Sequence, residues 1–200
     1  MPTTAKALWK SQRLTYWEAF RALLGAIVIL FIIEAADRLF FNNNLFRFGL
    51  QRGDFEHWYH MFFAPFIHDG WSHLIGNAIG LLLLGSIVLL LGFRALFIVT
   101  IFSIITTGVG ILIFGTPGLH AGASCIVYGY FAFLVVRGFY EKSWRAIILG
   151  IVILLVFQGL LNGLLPSAGK QVSWVGHLFG ALGGIAAAGT LAKEKSPRSS

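Results

Sequence analysis

The chain has 200 residues, 57% of them hydrophobic and only 12% charged, with a net charge of +7. Soluble domains carry about 25% charged residues, so this composition excludes a water-facing globular surface and points to a polytopic membrane protein. The basic excess reads as topology and not as nucleic-acid binding, since no aromatic-basic cluster accompanies it, and the single Cys125 excludes an internal disulfide framework.

Residues 1–19 mix Lys6, Lys10, Arg13 and Glu18 with no apolar core of a signal peptide. They are expected to form a cytoplasmic segment, with the first span acting as its own insertion signal. Residues 20–192 then read as one membrane domain of six apolar segments, near 20–41, 71–91, 95–114, 124–139, 146–164 and 173–192. Each reaches or nears the ~20 residues that cross ~30 Å of hydrocarbon. The fourth is short. It follows Gly115-Thr116-Pro117-Gly118, which cannot be regular helix, so Ser124 is expected at a sunken helix end. Residues 193–200 read as a disordered polar tail.

With the N-terminus inside, the cytoplasmic basic residues are Lys6, Lys10, Arg13, Arg21, Arg94, Arg137, Lys142, Arg145, Lys193, Lys195 and Arg198. The outer set is Arg38, Arg47, Arg52 and Lys170. The asymmetry predicts both termini in the cytoplasm. The outer loop 42–70 is rich in aromatic residues and is expected to lie in the membrane interface. Glu34 and Arg38 have the spacing of an ion pair on one helix face.

All six histidines fall toward the outside. His73 opens the second span and His177 lies near the start of the sixth. Asn77 stands four residues after His73, and Tyr128 four after Ser124, each pair on one helical face. Polar groups at membrane depth are functional candidates. Gly176, Gly180 and Gly184 recur every four residues, which lets a neighbouring helix approach the face that carries His177. His57, His60, His68 and His120 read as solvated or interfacial, with His68 held open as a support for the site.

Acyl transfer is the chemistry that fits. A serine hydroxyl is a weak nucleophile until a base removes its proton, and imidazole has the suitable proton affinity. An attacked amide develops an oxyanion that needs donors, for which the Ser124 amide, Asn77 and His73 are at hand. No carboxylate lies in these motifs, so the residues form a serine–histidine dyad. Tyr128 is placed to stack on His177, and Gly122 keeps the backbone near Ser124 accessible. The plainer alternatives are a Ser124 helix cap and interhelical hydrogen bonds from His73 and Asn77. No His-Glu-x-x-His sequence is present, and Asp37 and Asp69 do not sit as an intramembrane aspartate pair, so neither a zinc nor an aspartyl protease fits.

The motifs resemble the rhomboid intramembrane serine proteases. They are His73-x-x-x-Asn77 in the second span, Gly122-x-Ser124 opening the fourth, and His177-x-x-Gly180-x-x-x-Gly184 in the sixth. The resemblance spans the six-segment core and implies an all-α, six-transmembrane-helix rhomboid-like bundle. It implies Ser124 as nucleophile, His177 as base, His73 and Asn77 at the oxyanion, and supporting roles for Tyr128, Gly122 and Gly180. It implies no cofactor or metal. The implied substrate is the transmembrane segment of another protein, cut near its outer end. The expected location is a prokaryotic cell membrane, with lipid as the surrounding partner. Two departures stand out. Cys125 follows the serine where family members commonly have Gly, which favours the rival reading of a catalytically inactive relative that binds transmembrane segments. In the first loop Trp58-Tyr59-His60 lacks the Arg of the family's Trp-Arg pair.

Overall fold

The computed structural model describes residues 15–168 and 172–195. Lys6, Lys10, Arg13, Lys170 and Arg198, which entered the topology reading, lie outside the described residues, as does most of the segments 1–19 and 193–200.

Six α-helices appear among the described residues: α1 (Tyr16–Phe40), α2 (Trp71–Leu89), α3 (Phe93–Phe114), α4 (Ser124–Tyr140), α5 (Trp144–Val156) and α6 (Trp174–Lys195). Four of them, α1, α2, α3 and α6, are long and apolar enough to cross a membrane. Helix α4 has 17 residues, as short as its sequence implied. The expected fifth span, 146–164, is broken and not one straight helix: α5 and the segment after it are long and apolar enough to cross a membrane only when taken together. Helix α5 stops at Val156, and Gln158–Leu164 continues as 3-10 helix bent by 72° from it. Helix α6 runs past residue 192 to Lys195, and residues 196–200 of the expected tail lie outside the described residues.

Helix α1 starts on a capping box. Thr15 Oγ1 accepts from the Glu18 amide, and the Glu18 carboxylate accepts the Thr15 amide proton at 2.7 Å. Its buried residues, Ala19, Leu23, Ile27, Leu30, Glu34 and Asp37, recur every three or four positions and form one stripe that packs on α2. The remaining faces present Val28, Ile29, Ile32 and Leu39 outward. Apolar side chains on the outer surface are what a lipid-facing helix requires. At the end of α1, Arg38 Nε donates to Glu34 at 2.7 Å, the ion pair that the spacing implied.

Helix α4 is the centre of the bundle. Its run from Cys125 to Leu134 is entirely buried. Helices α6 and α5 pack on it most extensively, with α2 and α3 also against it. The long loop after α1 folds back over one end of this bundle. Its strand β1 (Leu50–Gln51) pairs antiparallel with β2 (Leu119–His120), matching Leu50 to His120. Gly53 N–H adds a bond to Leu112 O at 2.9 Å. The loop thereby clamps the segment that leads into Ser124. Phe55, Trp58, Tyr59, Phe62, Phe63 and Phe66 of the same loop stay exposed.

Candidate active site

Ser124 is the first residue of α4, and its hydroxyl is not used to close the helix end. The cap position belongs to Ala123, without a side-chain bond, so the helix-cap alternative is corrected. Ser124 Oγ lies instead 2.9 Å from His177 Nε2. His177 is the fourth residue of α6, whose start is fixed by Ser173: its Oγ accepts the Gly176 amide proton at 3.3 Å. One turn after Ser124, the Tyr128 ring stacks on His177 with centroids 4.1 Å apart and planes 12° from parallel. The other ring nitrogen, His177 Nδ1, lies 2.9 Å from the Gly163 carbonyl oxygen. Ser124 and His177, 53 residues apart in the chain, are thus in direct contact.

His73 and Asn77 approach the loop before Ser124 from α2. Gly122 makes this possible. Its φ of +115° is poorly open to other residues, and a Cβ there would lie 2.6 Å from His73 Cε1. Asn77 is buried, and its amide nitrogen has no hydrogen-bond partner among the described residues. An unpaired buried donor is destabilising in the resting protein and is available for an acceptor that arrives later. Asp69, His73, Asn77, Ser124, Tyr128 and His177 all line one cavity of 580 Å³. A separate space of about 20 Å³ beside Ser124, room for about one water, is lined by Thr107, His120 and Ser173.

One histidine was misjudged from sequence, and a second takes the supporting position that was held open for it. His120, expected to be solvated or interfacial, is buried: its Nδ1 lies 2.6 Å from Ser173 Oγ and its Nε2 2.9 Å from Thr116 O. The β1–β2 pairing draws it inward, a contact between residues seventy positions apart that local pattern cannot reveal. His68 is also buried, and its Nε2 accepts the Ala123 amide proton at 3.3 Å while its ring meets His73 edge-on at 5.2 Å. No role was read for Ser173 from sequence, although a serine just before an apolar run is the signal of a helix start. Among the described residues no cluster of His, Cys, Asp or Glu is arranged to hold a metal.

Burial pushes the His68 ring from 6.5 down to about 4. The folded value lies below the unfolded one. Between those values the unfolded chain binds the extra proton, so stability is full above about 6.5 and declines as pH falls toward 4, by up to about 3 kcal/mol from this group. Unfolding in detergent at about pH 7 and about pH 4.5 should therefore show a pH-dependent loss that shrinks in His68→Gln. An identical loss in the variant would contradict this account of His68.

The Rhomboid domain model matches residues 56–194. Uncharacterized protein Mb1372 of Mycobacterium bovis is 34% identical over 174 residues, covering 83% of this chain and 72% of its own. Uncharacterized protein Rv1337 of Mycobacterium tuberculosis matches with the same identity and coverage. Uncharacterized protein ML1171 of Mycobacterium leprae is 32% identical over 187 residues, 89% of this chain and 73% of its own. The match runs from the loop after α1 into the last turn of α6 and takes in every residue of the site, so the chain belongs to the rhomboid family of integral membrane proteins.

Proposed function

We propose that this protein is an intramembrane serine endopeptidase that hydrolyses a peptide bond near the outer end of a substrate's transmembrane segment. The observation that carries this reading is the 2.9 Å contact between Ser124 Oγ and His177 Nε2, at the wall of a 580 Å³ cavity. As Oγ attacks the scissile carbonyl carbon, its proton passes to Nε2. The carbonyl oxygen becomes an oxyanion, held by the Asn77 amide, the His73 ring and the Ser124 N–H, which as a first-turn helix donor has no partner within α4. The imidazolium then gives its proton to the leaving amine. Water attacks the acyl-enzyme with His177 as base again and releases the second product. No cofactor takes part.

The remaining expectations fit this activity. The apolar segments act as six membrane passages with both termini in the cytoplasm of a prokaryotic cell. The aromatic loop lies in the outer interface, and a single-span substrate arrives sideways through lipid. Cys125, the feature that favoured an inactive relative, leaves the 580 Å³ cavity open: its Sγ lies buried 3.9 Å from Gly122 O, and the residue lines only the separate small space beside Ser124.

Reconstitution with a single-span reporter tests the proposal. Cleavage near the reporter's outer end is the expected result. Asn77→Ala should lose about 10²-fold in turnover yet keep measurable cleavage, because the His73 ring and the Ser124 amide still donate. An Asn77→Ala variant as active as the unmodified protein would remove Asn77 from the oxyanion.

A further inference from the structure

We propose that the main-chain carbonyl of Gly163 is the third member of the catalytic array, a positioning group that fixes the tautomer and orientation of His177. This rests on the assignment of Ser124 as nucleophile and His177 as base. A carbonyl oxygen can only accept. The 2.9 Å separation from Nδ1 therefore requires the proton to sit on Nδ1. A neutral ring with its proton there has its lone pair on Nε2, the nitrogen that faces Ser124 Oγ. The acceptor thereby selects the only neutral tautomer competent to take the serine's proton.

The chain keeps this carbonyl free for the purpose. Gly163 lies at the end of the 3-10 segment Gln158–Leu164. In such a helix each carbonyl accepts from the amide three residues on, and here that residue is Pro166, which has no N–H. The nearest local competitor is thus missing by sequence. The residue must also be small. A Cβ on Gly163 would strike the Tyr128 hydroxyl, and would lie 3.0 Å from Tyr128 Cζ and 3.1 Å from His177 Nδ1. The stacked Tyr128 ring fixes the plane of the imidazole, and Gly163 fixes its rotation within that plane.

During attack the Ser124 Oγ–H proton moves to Nε2 and the ring becomes cationic. The Nδ1 proton stays on nitrogen, and its bond to Gly163 O strengthens as charge develops. The carbonyl here holds the place that a carboxylate takes in a serine–histidine–aspartate triad, without placing a second charge at this depth.

The test uses the full chain in detergent micelles, labelled with ¹⁵N-histidine, together with the rate at which a fluorophosphonate phosphonylates Ser124, its fluoride leaving as Oγ bonds to phosphorus. The unmodified protein should show His177 with a bonded Nδ1 proton and an unprotonated Nε2. Gly163→Ala should lose that proton signal and react about tenfold or more slowly. In a Tyr128→Phe background, where the struck hydroxyl is gone and only the 3.0 and 3.1 Å contacts remain, the same glycine substitution should cost less than it does beside Tyr128, and an equal cost would overturn the inference. An Nε2-protonated ring in the unmodified protein would overturn the inference, and that spectrum needs no variant to fold. So would a Gly163→Ala protein that is phosphonylated at the unmodified rate. If the unmodified protein is not phosphonylated at Ser124 at all, the serine-protease reading itself falls; if it is phosphonylated and the glycine variant matches it, only the role of Gly163 falls.

Discussion

Ser124→Ala should abolish cleavage of a single-span reporter, a loss of at least about 10³-fold, while the helical fold stays intact. The hydroxyl makes one contact that matters to this expectation, the 2.9 Å approach to His177, and Ala123 already holds the helix cap. Removing Oγ therefore takes away the nucleophile and little structural support. His177→Ala should fall almost as far, and the double variant no further, because the two side chains act as one unit. A purified Ser124→Ala protein that still turns over the reporter would reject the mechanism.

Gly180→Val is the second change with a large expected effect, and it acts through packing. A Cβ at Gly180 would lie 2.9 Å from Cys125 Cα and 3.0 Å from Cys125 C, with the Cys125 carbonyl oxygen nearer still. Backbone cannot swing aside as a flexible side chain can. Helices α4 and α6 must part instead, one turn beyond the point where they bring Ser124 and His177 together. Overpacking of this kind destabilises by about 1–3 kcal/mol. A displacement of about 1 Å at the dyad costs about 10² in rate. Cleavage should thus fall much further than the loss of folded protein explains. Gly25→Ala is the matched control: Gly25 is exposed on α1, a Cβ there meets nothing within 4 Å, and a helical alanine should leave both stability and activity near their starting values. Thermal unfolding in detergent and reporter cleavage, measured side by side, separate the two effects. Equal behaviour of the two glycine variants would refute the close-approach account of α6.

The contrast between these residues shows what was legible beforehand. His73 and Asn77 share a helical face by spacing alone, and Gly180 and Gly184 declare a close approach because glycine, with no side chain, lets helix backbones come nearest. Ser124 was conspicuous for the opposite reason: it ends an irregular, small-residue loop in an otherwise apolar chain. The break after Val156 was not legible. The segment Ile153-Leu154-Leu155-Val156-Phe157 holds neither proline nor glycine, and only Gly159, beyond the bend, hints at it. A continuous apolar run reads as one helix, although its second part turns to bring the Gly163 carbonyl to His177. His120 and His68 were hidden for another reason. Their partners, Ser173 and the Ala123 amide, lie more than fifty residues away, and only the folded loop brings them near. Main-chain partners such as Gly163 O and Ala123 N–H leave no mark in a pattern of side chains.

Covalent labelling tests the central claim most directly. The purified protein in detergent is treated with a fluorophosphonate, digested, and searched by mass spectrometry for the modified residue, with reporter cleavage followed in parallel. The account predicts one adduct, on Ser124, rising in step with the loss of cleavage and absent from His177→Ala. An adduct confined to another residue, or full cleavage by a protein whose Ser124 is quantitatively labelled, would contradict it.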